Sequence, residues 1–178
     1  MNDVGGHILL LSGHPGSGKT TIADELAHSP GVPKVHIHSD DFWGYIKHGH
    51  IDPWLPESDQ QNRMVMQIAA DISARYANHG YFVILDGVVR PSWLPAFRAL
   101  GLPLHYILLR TTAAEAVERC AARGGDSLSD PRVIADLHAQ FNDLGPYEPN
   151  VLPVSGQDRQ ESLRMVIAAL QLNLHRIQ

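Results

Sequence analysis

A single cysteine, Cys120, stands in a chain of 178 residues. That count excludes an intrachain disulfide and a cysteine-rich zinc site, and it suits a reducing cytoplasm. Long apolar runs are missing as well. No stretch approaches the roughly 18 residues of a membrane span, and residues 1–6 carry no basic flank or apolar run of signal-peptide type. A cytoplasmic protein without a membrane partner is therefore expected. Basic excess is the third absence: 14 Lys and Arg against 19 Asp and Glu give a net charge of -5 and a pI of about 6.1. No footprint for duplex nucleic acid follows from that balance, and no nucleic-acid partner is expected. Repeats and low-complexity segments are absent too. What is present, 44% hydrophobic and 19% charged residues, predicts one globular domain over residues 1–178 with a core of ordinary size.

Short apolar runs alternate with helical patterns. Ile8–Leu11, Val35–His38, Tyr81–Leu85, Leu104–Leu109 and Val151–Val154 read as five strands. Helices are predicted over Lys19–Ala27, Gln60–Asn78, Trp93–Leu100, Thr112–Arg123, Pro131–Leu144 and Gln160–His175. In the long second helix Met64, Ile68, Ile72 and Tyr76, at i, i+4 spacing, mark the expected apolar stripe. Strict alternation predicts an α/β fold, a parallel sheet covered by helices on both faces, with ligands at the carboxyl ends of the strands.

At the first such end lies Gly13-His14-Pro15-Gly16-Ser17-Gly18-Lys19-Thr20, which fits G-x-x-x-x-G-K-[ST] at every fixed position. The context fits too, with a strand before it and a helix after it. Glycines let the backbone wrap around phosphate oxygens, and the helix N-terminus adds partial positive charge. Lys19 is expected at the β- and γ-phosphates, Thr20 at Mg²⁺, and Thr21 beside them in the first helical turn. ATP or a similar nucleoside triphosphate, with Mg²⁺, is the expected ligand pair.

Two carboxylate positions follow. His38-Ser39-Asp40-Asp41-Phe42 closes the second strand. A hydroxyl accepting a phosphoryl group needs a carboxylate to take or orient its proton, and Asp40 or Asp41 could supply it, with the other toward the substrate. Helix N-capping is the alternative role for either. Phe82-Val83-Ile84-Leu85-Asp86 ends in the aspartate of a Walker B pattern, which would face Thr20 and hold Mg²⁺ directly or through water. A turn before Gly87 is the competing role. Arg90, four positions on, suits an anionic group on the acceptor or a surface ion pair.

Other features read as quieter. His36 and His38 share a strand face, where a metal site is conceivable, but no cysteine or clustered carboxylate completes it, so packing and surface roles are expected. Cys120 reads as a buried apolar side chain. Arg110, directly after the fourth strand, is suited to a phosphate or to a carboxylate partner. Arg119 and Arg123 lie at i, i+4 on one helix face before Gly124-Gly125.

The P-loop, the Asp40-Asp41-Phe42 turn, the Asp86-Gly87 turn and the Arg119-x-x-x-Arg123 segment together resemble the small P-loop kinases of the shikimate kinase, gluconate kinase and chloramphenicol phosphotransferase type. The resemblance implies a five-stranded parallel sheet with Asp40 as the catalytic base. It also implies an acceptor region at about 42–62 containing Trp43 and Trp54. A lid at about 119–130 would bring Arg119 to the nucleotide and Arg123 onto the transferring phosphoryl group, and Val154–Asp158 would lie around the adenine. Asp86-Gly87-Val88-Val89 lacks the triple glycine of shikimate kinase, which weakens that acceptor. The implied activity is transfer of the γ-phosphoryl group of ATP to a hydroxyl of a small molecule. A nucleoside or nucleotide kinase is one alternative. A nucleotide-dependent switch or regulatory ATPase is another, though a switch has no acceptor for Asp40 to deprotonate.

Overall fold

The computed structural model describes residues 4–123 and 130–177, with Arg123 described by its backbone alone. Five parallel strands, β1 (Ile8–Gly13), β2 (Lys34–His38), β3 (Phe82–Asp86), β4 (Leu104–Arg110) and β5 (Val151–Pro153), stand in the order β2-β3-β1-β4-β5. A two-residue β6 (Arg176–Ile177) pairs antiparallel with the start of β4, an addition too short to be read from the sequence. The described α-helices are α1 (Lys19–His28), α2 (Asp40–Gly44), α3 (Asp59–Ala77), α4 (Leu94–Arg98), α5 (Ala113–Arg123) and α6 (Pro131–Ala139), which cross between parallel strands, and α7 (Arg159–Gln171), which follows β5. No described helix is long and apolar enough to cross a membrane.

The strands are hydrophobic at successive positions because both faces are covered. Leu9 and Leu11 of β1, with Phe82, Ile84, Ile107 and Leu109, pack against Ile22, Ala23 and Leu26 of α1 and Val166 and Leu170 of α7. Ile8 and Leu10, with Val83, Leu85, Tyr106 and Leu108, pack against Val65, Met66, Ala69 and Ala70 of α3 and Leu94 and Phe97. The alternation of the pleat therefore splits one core into two layers.

The expected stripe of α3 is corrected by the structure. Met64, Ile68 and Tyr76 are exposed, Ile72 is half-buried, and the buried positions are Asn62, Val65, Met66, Ala69, Ala70, Ser73 and Ala77. Apolar residues occur on more than one side of this helix, so spacing alone did not select a face. The buried side is rich in small residues, which let the helix lie close to the sheet. Helix α5 begins with a reciprocal cap: the Glu115 N–H donates to Thr112 Oγ1 at 3.3 Å, and the Thr112 N–H donates to Glu115 Oε2 at 3.2 Å. Its N-terminal end matches the expected boundary, whereas α6 stops at Ala139, short of Leu144.

Candidate active site

The loop between β1 and α1 is fixed by its glycines. Gly13 has φ +146°, and a Cβ there would lie 2.4 Å from Leu109 O and 2.8 Å from Ser17 Oγ. Gly16 has φ +78°, and its Cβ would meet Ala116 O at 2.5 Å. No larger residue fits either place, so the backbone curls tightly between the ends of β1, β4 and α5. Within the cradle the buried Ser17 Oγ has no hydrogen-bond partner, and Lys19 Nζ lies 3.5 Å from His14 O. An orphaned hydroxyl and a folded-back lysine are donors suited to phosphate oxygens. Residues 13–20 thus fit the triphosphate that their sequence implies.

His14 holds this loop from behind. The Thr111 N–H donates to its Nε2 at 3.1 Å, which places the proton on Nδ1, donating to Pro15 O at 2.8 Å. His138 from α6 donates through Nε2 to Thr111 O at 3.0 Å, and the two rings lie 4.4 Å apart. Burial lowers the His14 pKa to about 4, with the neighbouring His138 and Lys19 acting in the same direction. Burial lowers His105, which meets His7 at 3.0 Å, to about 4 as well. The unfolded chain therefore takes up protons below pH 6.5 that the folded one refuses until about 4. Stability is fully present above pH 6.5 and falls as the pH drops toward 4. Urea unfolding should show a loss of about 1–2 kcal/mol through His14 by pH 5, and His14→Asn should flatten that slope. Glu115, held at about 2 by hydrogen bonds from Gly156 and Thr112, loses its contribution only as the pH falls below about 4.5, at the lower edge of this window and beneath it.

Asp86, at the end of β3, is 2% exposed. Thr20 Oγ1 donates to its Oδ2 at 2.5 Å. Its Oδ1 faces His36 Nε2 at 2.9 Å and His38 Nδ1 at 2.8 Å. Burial would raise this carboxyl, but the His36 and Thr20 hydrogen bonds and the His38 imidazole outweigh it and hold the pKa below the ordinary value. The reading of His36 and His38 as lacking a carboxylate is thereby corrected. Asp86 lies some fifty positions away in sequence, and the β2–β3 register, His36 beside Ile84 and His38 beside Asp86, sets all three side chains on one sheet face.

The turn after β2 approaches Asp86-Gly87 closely. The Ser39 N–H donates to Asp86 O at 2.8 Å, and Ser39 is the N-cap of α2 without a side-chain cap bond. Neither aspartate caps the helix; Asp40 and Asp41 occupy its first turn. On the other side of β3, Ser12 Oγ donates to Val89 O at 2.8 Å and accepts from the Val89 N–H at 3.0 Å, while the Tyr106 hydroxyl donates to the same carbonyl at 2.7 Å. This clamp places Arg90. Its guanidinium lies 5.2 Å above the Trp93 ring, and its Nε is buried without a hydrogen-bond partner. Burial lowers the Arg90 pKa.

These elements surround a pocket of about 420 Å³ lined by Pro15, Lys19 and Thr20 of the P-loop, Asp40, Trp43 and Gly44 of α2, Val88, Arg90 and Trp93 after β3, and Cys120 and Leu137. The far wall is His50, Asp52, Pro53 and Trp54. That wall is anchored: Gln61 Nε2 donates to Ile51 O at 2.6 Å, and Asn62 donates to Pro53 O at 2.9 Å while accepting from Trp43 Nε1 at 2.9 Å. The structure so brings Lys19, Thr20, Asp40 and Arg90 together. It does not bring Asp41 to the pocket wall, Thr21 is exposed, and Arg119 lies 3.7 Å from Glu115. The Arg123 side chain and residues 124–129 of the expected lid lie outside the described residues. Arg110 is engaged by both oxygens of Glu148, at 2.7 and 3.0 Å, the carboxylate partner that the sequence left open. Cys120 is buried, as expected. His50 and Asp52 fall within the expected acceptor region at about 42–62, whereas Leu137 was not assigned to a pocket from the sequence, because α6 reaches it only in the fold.

A glycine-bound phosphate cradle, an aspartate opposite the loop threonine and a five-stranded parallel core define a P-loop nucleotide-binding protein with a kinase-like fold. The chain belongs to the family described as an AAA domain (AAA_33), which it matches over residues 8–144. No curated protein matches it significantly. Among solved structures it is similar to a sugar kinase from Janibacter sp. HTCC2649, with a TM-score of 0.68, 19% identity and coverage of 94% of each chain. It is similar to a gluconokinase from Sinorhizobium meliloti 1021, at a TM-score of 0.66 and 17% identity over 98% of this chain and 95% of that one. The Deinococcus radiodurans tunicamycin resistance protein aligns at a TM-score of 0.68 and 16% identity over 96% and 98%. These likenesses establish the fold.

Proposed function

We propose that this protein is an ATP-dependent phosphotransferase that moves the γ-phosphoryl group to a hydroxyl of a small molecule. The observation that carries this reading is the shared pocket: Lys19 and Thr20 of the P-loop and the Asp40 carboxylate line one chamber large enough for an acceptor. A regulatory switch needs the cradle but has no use for a walled chamber beside it. Similarity to kinases, a sugar kinase and a gluconokinase among them, adds support.

Residues 13–20 would hold the phosphates, and Thr20 with Asp86 would hold Mg²⁺. When bound, the ion supplies neutralising charge to the phosphate oxygens. Asp40 takes the proton of the acceptor hydroxyl as the hydroxyl oxygen bonds to the γ-phosphorus and the bond from that phosphorus to the β–γ bridging oxygen breaks, releasing ADP. Lys19 balances charge on the transferring group, a role that Arg123 would share, while Arg119 would turn from Glu115 toward the nucleotide. Asp41 stands one position beyond the base and would meet substrate only if the acceptor extends past the pocket described. Trp54 at 39% exposure, Trp93 beneath Arg90, and Arg90 itself suit an acceptor with a ring or carbon chain and an anionic group. The neighbouring sugar kinase and gluconokinase point toward a polyhydroxylated acceptor. Arg90→Met should raise the acceptor KM by about tenfold or more, as the loss of a charge-assisted contact implies, with the KM for ATP unchanged. Equal loss on both substrates would remove Arg90 from the acceptor site. The reading as a whole is tested by ADP release with and without a panel of sugars, sugar acids, nucleosides and antibiotics; stimulation by none of them, with slow hydrolysis persisting, favours the switch.

A further inference from the structure

We propose that His36, His38 and Asp86 form a binding site for one transition-metal ion of the borderline class, such as Zn²⁺ or Co²⁺, next to but distinct from the Mg²⁺ position of the P-loop. Two imidazoles and one carboxylate are the donor set that such ions select over Mg²⁺, which takes oxygen ligands. The three donor atoms lie within 4.8 Å of one another. Both imidazole nitrogens are aimed at the same oxygen of Asp86, at 2.9 and 2.8 Å, with the rings 4.2 Å apart and tilted by 53°. Ligands around a tetrahedral ion are separated by about 3.3 Å, given bond lengths near 2 Å. A small rotamer change would therefore admit the ion between them.

The backbone makes this convergence durable. His36 and His38 occupy alternate positions of β2, and Asp86 sits beside His38 in the register of β3. All three project from the rungs of a sheet rather than from a mobile loop. The set is also accessible. His36 and Asp86 are 12% and 2% exposed at their side chains, but His38 is 42% exposed on the edge strand. An ion can enter past His38 and keep a position for water. The Asp86 carboxylate divides its work: Oδ2 accepts from Thr20, and Oδ1 faces the histidines. One carboxylate would then bridge the nucleotide's Mg²⁺ and the second ion. The site would tie the metal content of the protein to the position of its Walker B aspartate.

The test needs neither ATP nor an acceptor, so its result is independent of the phosphotransferase reading. Untagged, chelator-stripped protein is titrated with Co²⁺ in the presence of millimolar Mg²⁺, and the visible d–d bands are followed. The expected result is one Co²⁺ per chain with the intense bands of low coordination number, discharged by one equivalent of Zn²⁺. His36→Gln and His38→Gln should each weaken binding at least tenfold, while His50→Gln and Lys19→Ala leave it unchanged. Circular dichroism confirms that each variant is folded. His38, being more exposed, provides the readout if His36→Gln does not fold. A spectrum that stays that of hydrated Co²⁺, or binding that survives both histidine substitutions, overturns the site.

Discussion

Asp40→Asn is expected to lower phosphoryl transfer by about 10²- to 10⁴-fold, the range for loss of a positioned general base, while ATP affinity stays within about twofold. The separation follows from where Asp40 sits. It lines the pocket beside Lys19 and Thr20 but belongs to α2, outside the phosphate cradle. The Ser39 hydroxyl donates to its Oδ1 at 3.4 Å, a contact the amide oxygen can also accept, so the amide should be accommodated without rearranging the core. Asparagine keeps the shape and accepts a hydrogen bond but cannot take the acceptor's proton. Single-turnover transfer and equilibrium nucleotide binding measured on the same preparation would separate the two effects. Turnover equal to that of the parent protein would remove Asp40 from the chemistry, and a parallel loss of ATP affinity would make its role structural.

Gly87→Ala should damage both stability and activity although it adds only one methyl group. Gly87 has φ +152°, and a Cβ there would lie 1.7 Å from Ser39 Oγ and 2.9 Å from Ser39 Cβ, with Asp40 Oδ1 at 3.4 Å. Ser39 is fully buried and bonded through its N–H to Asp86 O, so it cannot yield without moving the turn that carries Asp40. The expected cost is about 1–3 kcal/mol of stability, from strained backbone and local overpacking. Transfer should fall further than the stability loss explains, because Asp40, the proposed base, and Asp86 are displaced relative to each other. Thermal unfolding and transfer rates at a temperature where the variant is folded check this. A variant with parental melting temperature and parental kcat would show that the β2 and β3 ends are not packed as described.

Much of the site was legible because it is local. The P-loop is eight consecutive residues whose glycines and lysine have roles set by backbone geometry. The five parallel strands lie where the short apolar runs placed them, although β1 runs on to Gly13 and β3 and β4 take in Asp86 and Arg110. Register was not legible. His36, His38 and Asp86 meet only because β2 and β3 pair in parallel, a relation between segments about fifty residues apart. Arg110 and Glu148 pair across 38 positions for the same reason. The α3 stripe was misassigned where hydropathy favoured Met64, Ile68 and Tyr76, while the sheet instead selected the small Ala69, Ala70 and Ala77. His14 stood at a variable position of the motif, and its role as a strut to Thr111 depends on the end of β4 arriving beside it.

If the P-loop and Asp40 serve one transfer reaction, the phosphoryl group leaves ATP for the acceptor and not for water. The most direct measurement is mass spectrometry of the acceptor that most stimulates ADP release, incubated with Mg²⁺ and ATP carrying ¹⁸O in its γ-phosphoryl group. The expected result is a labelled phosphoryl group on that acceptor in proportion to ADP formed, and none with Lys19→Ala. ADP accumulating with the label recovered only as free phosphate would contradict it.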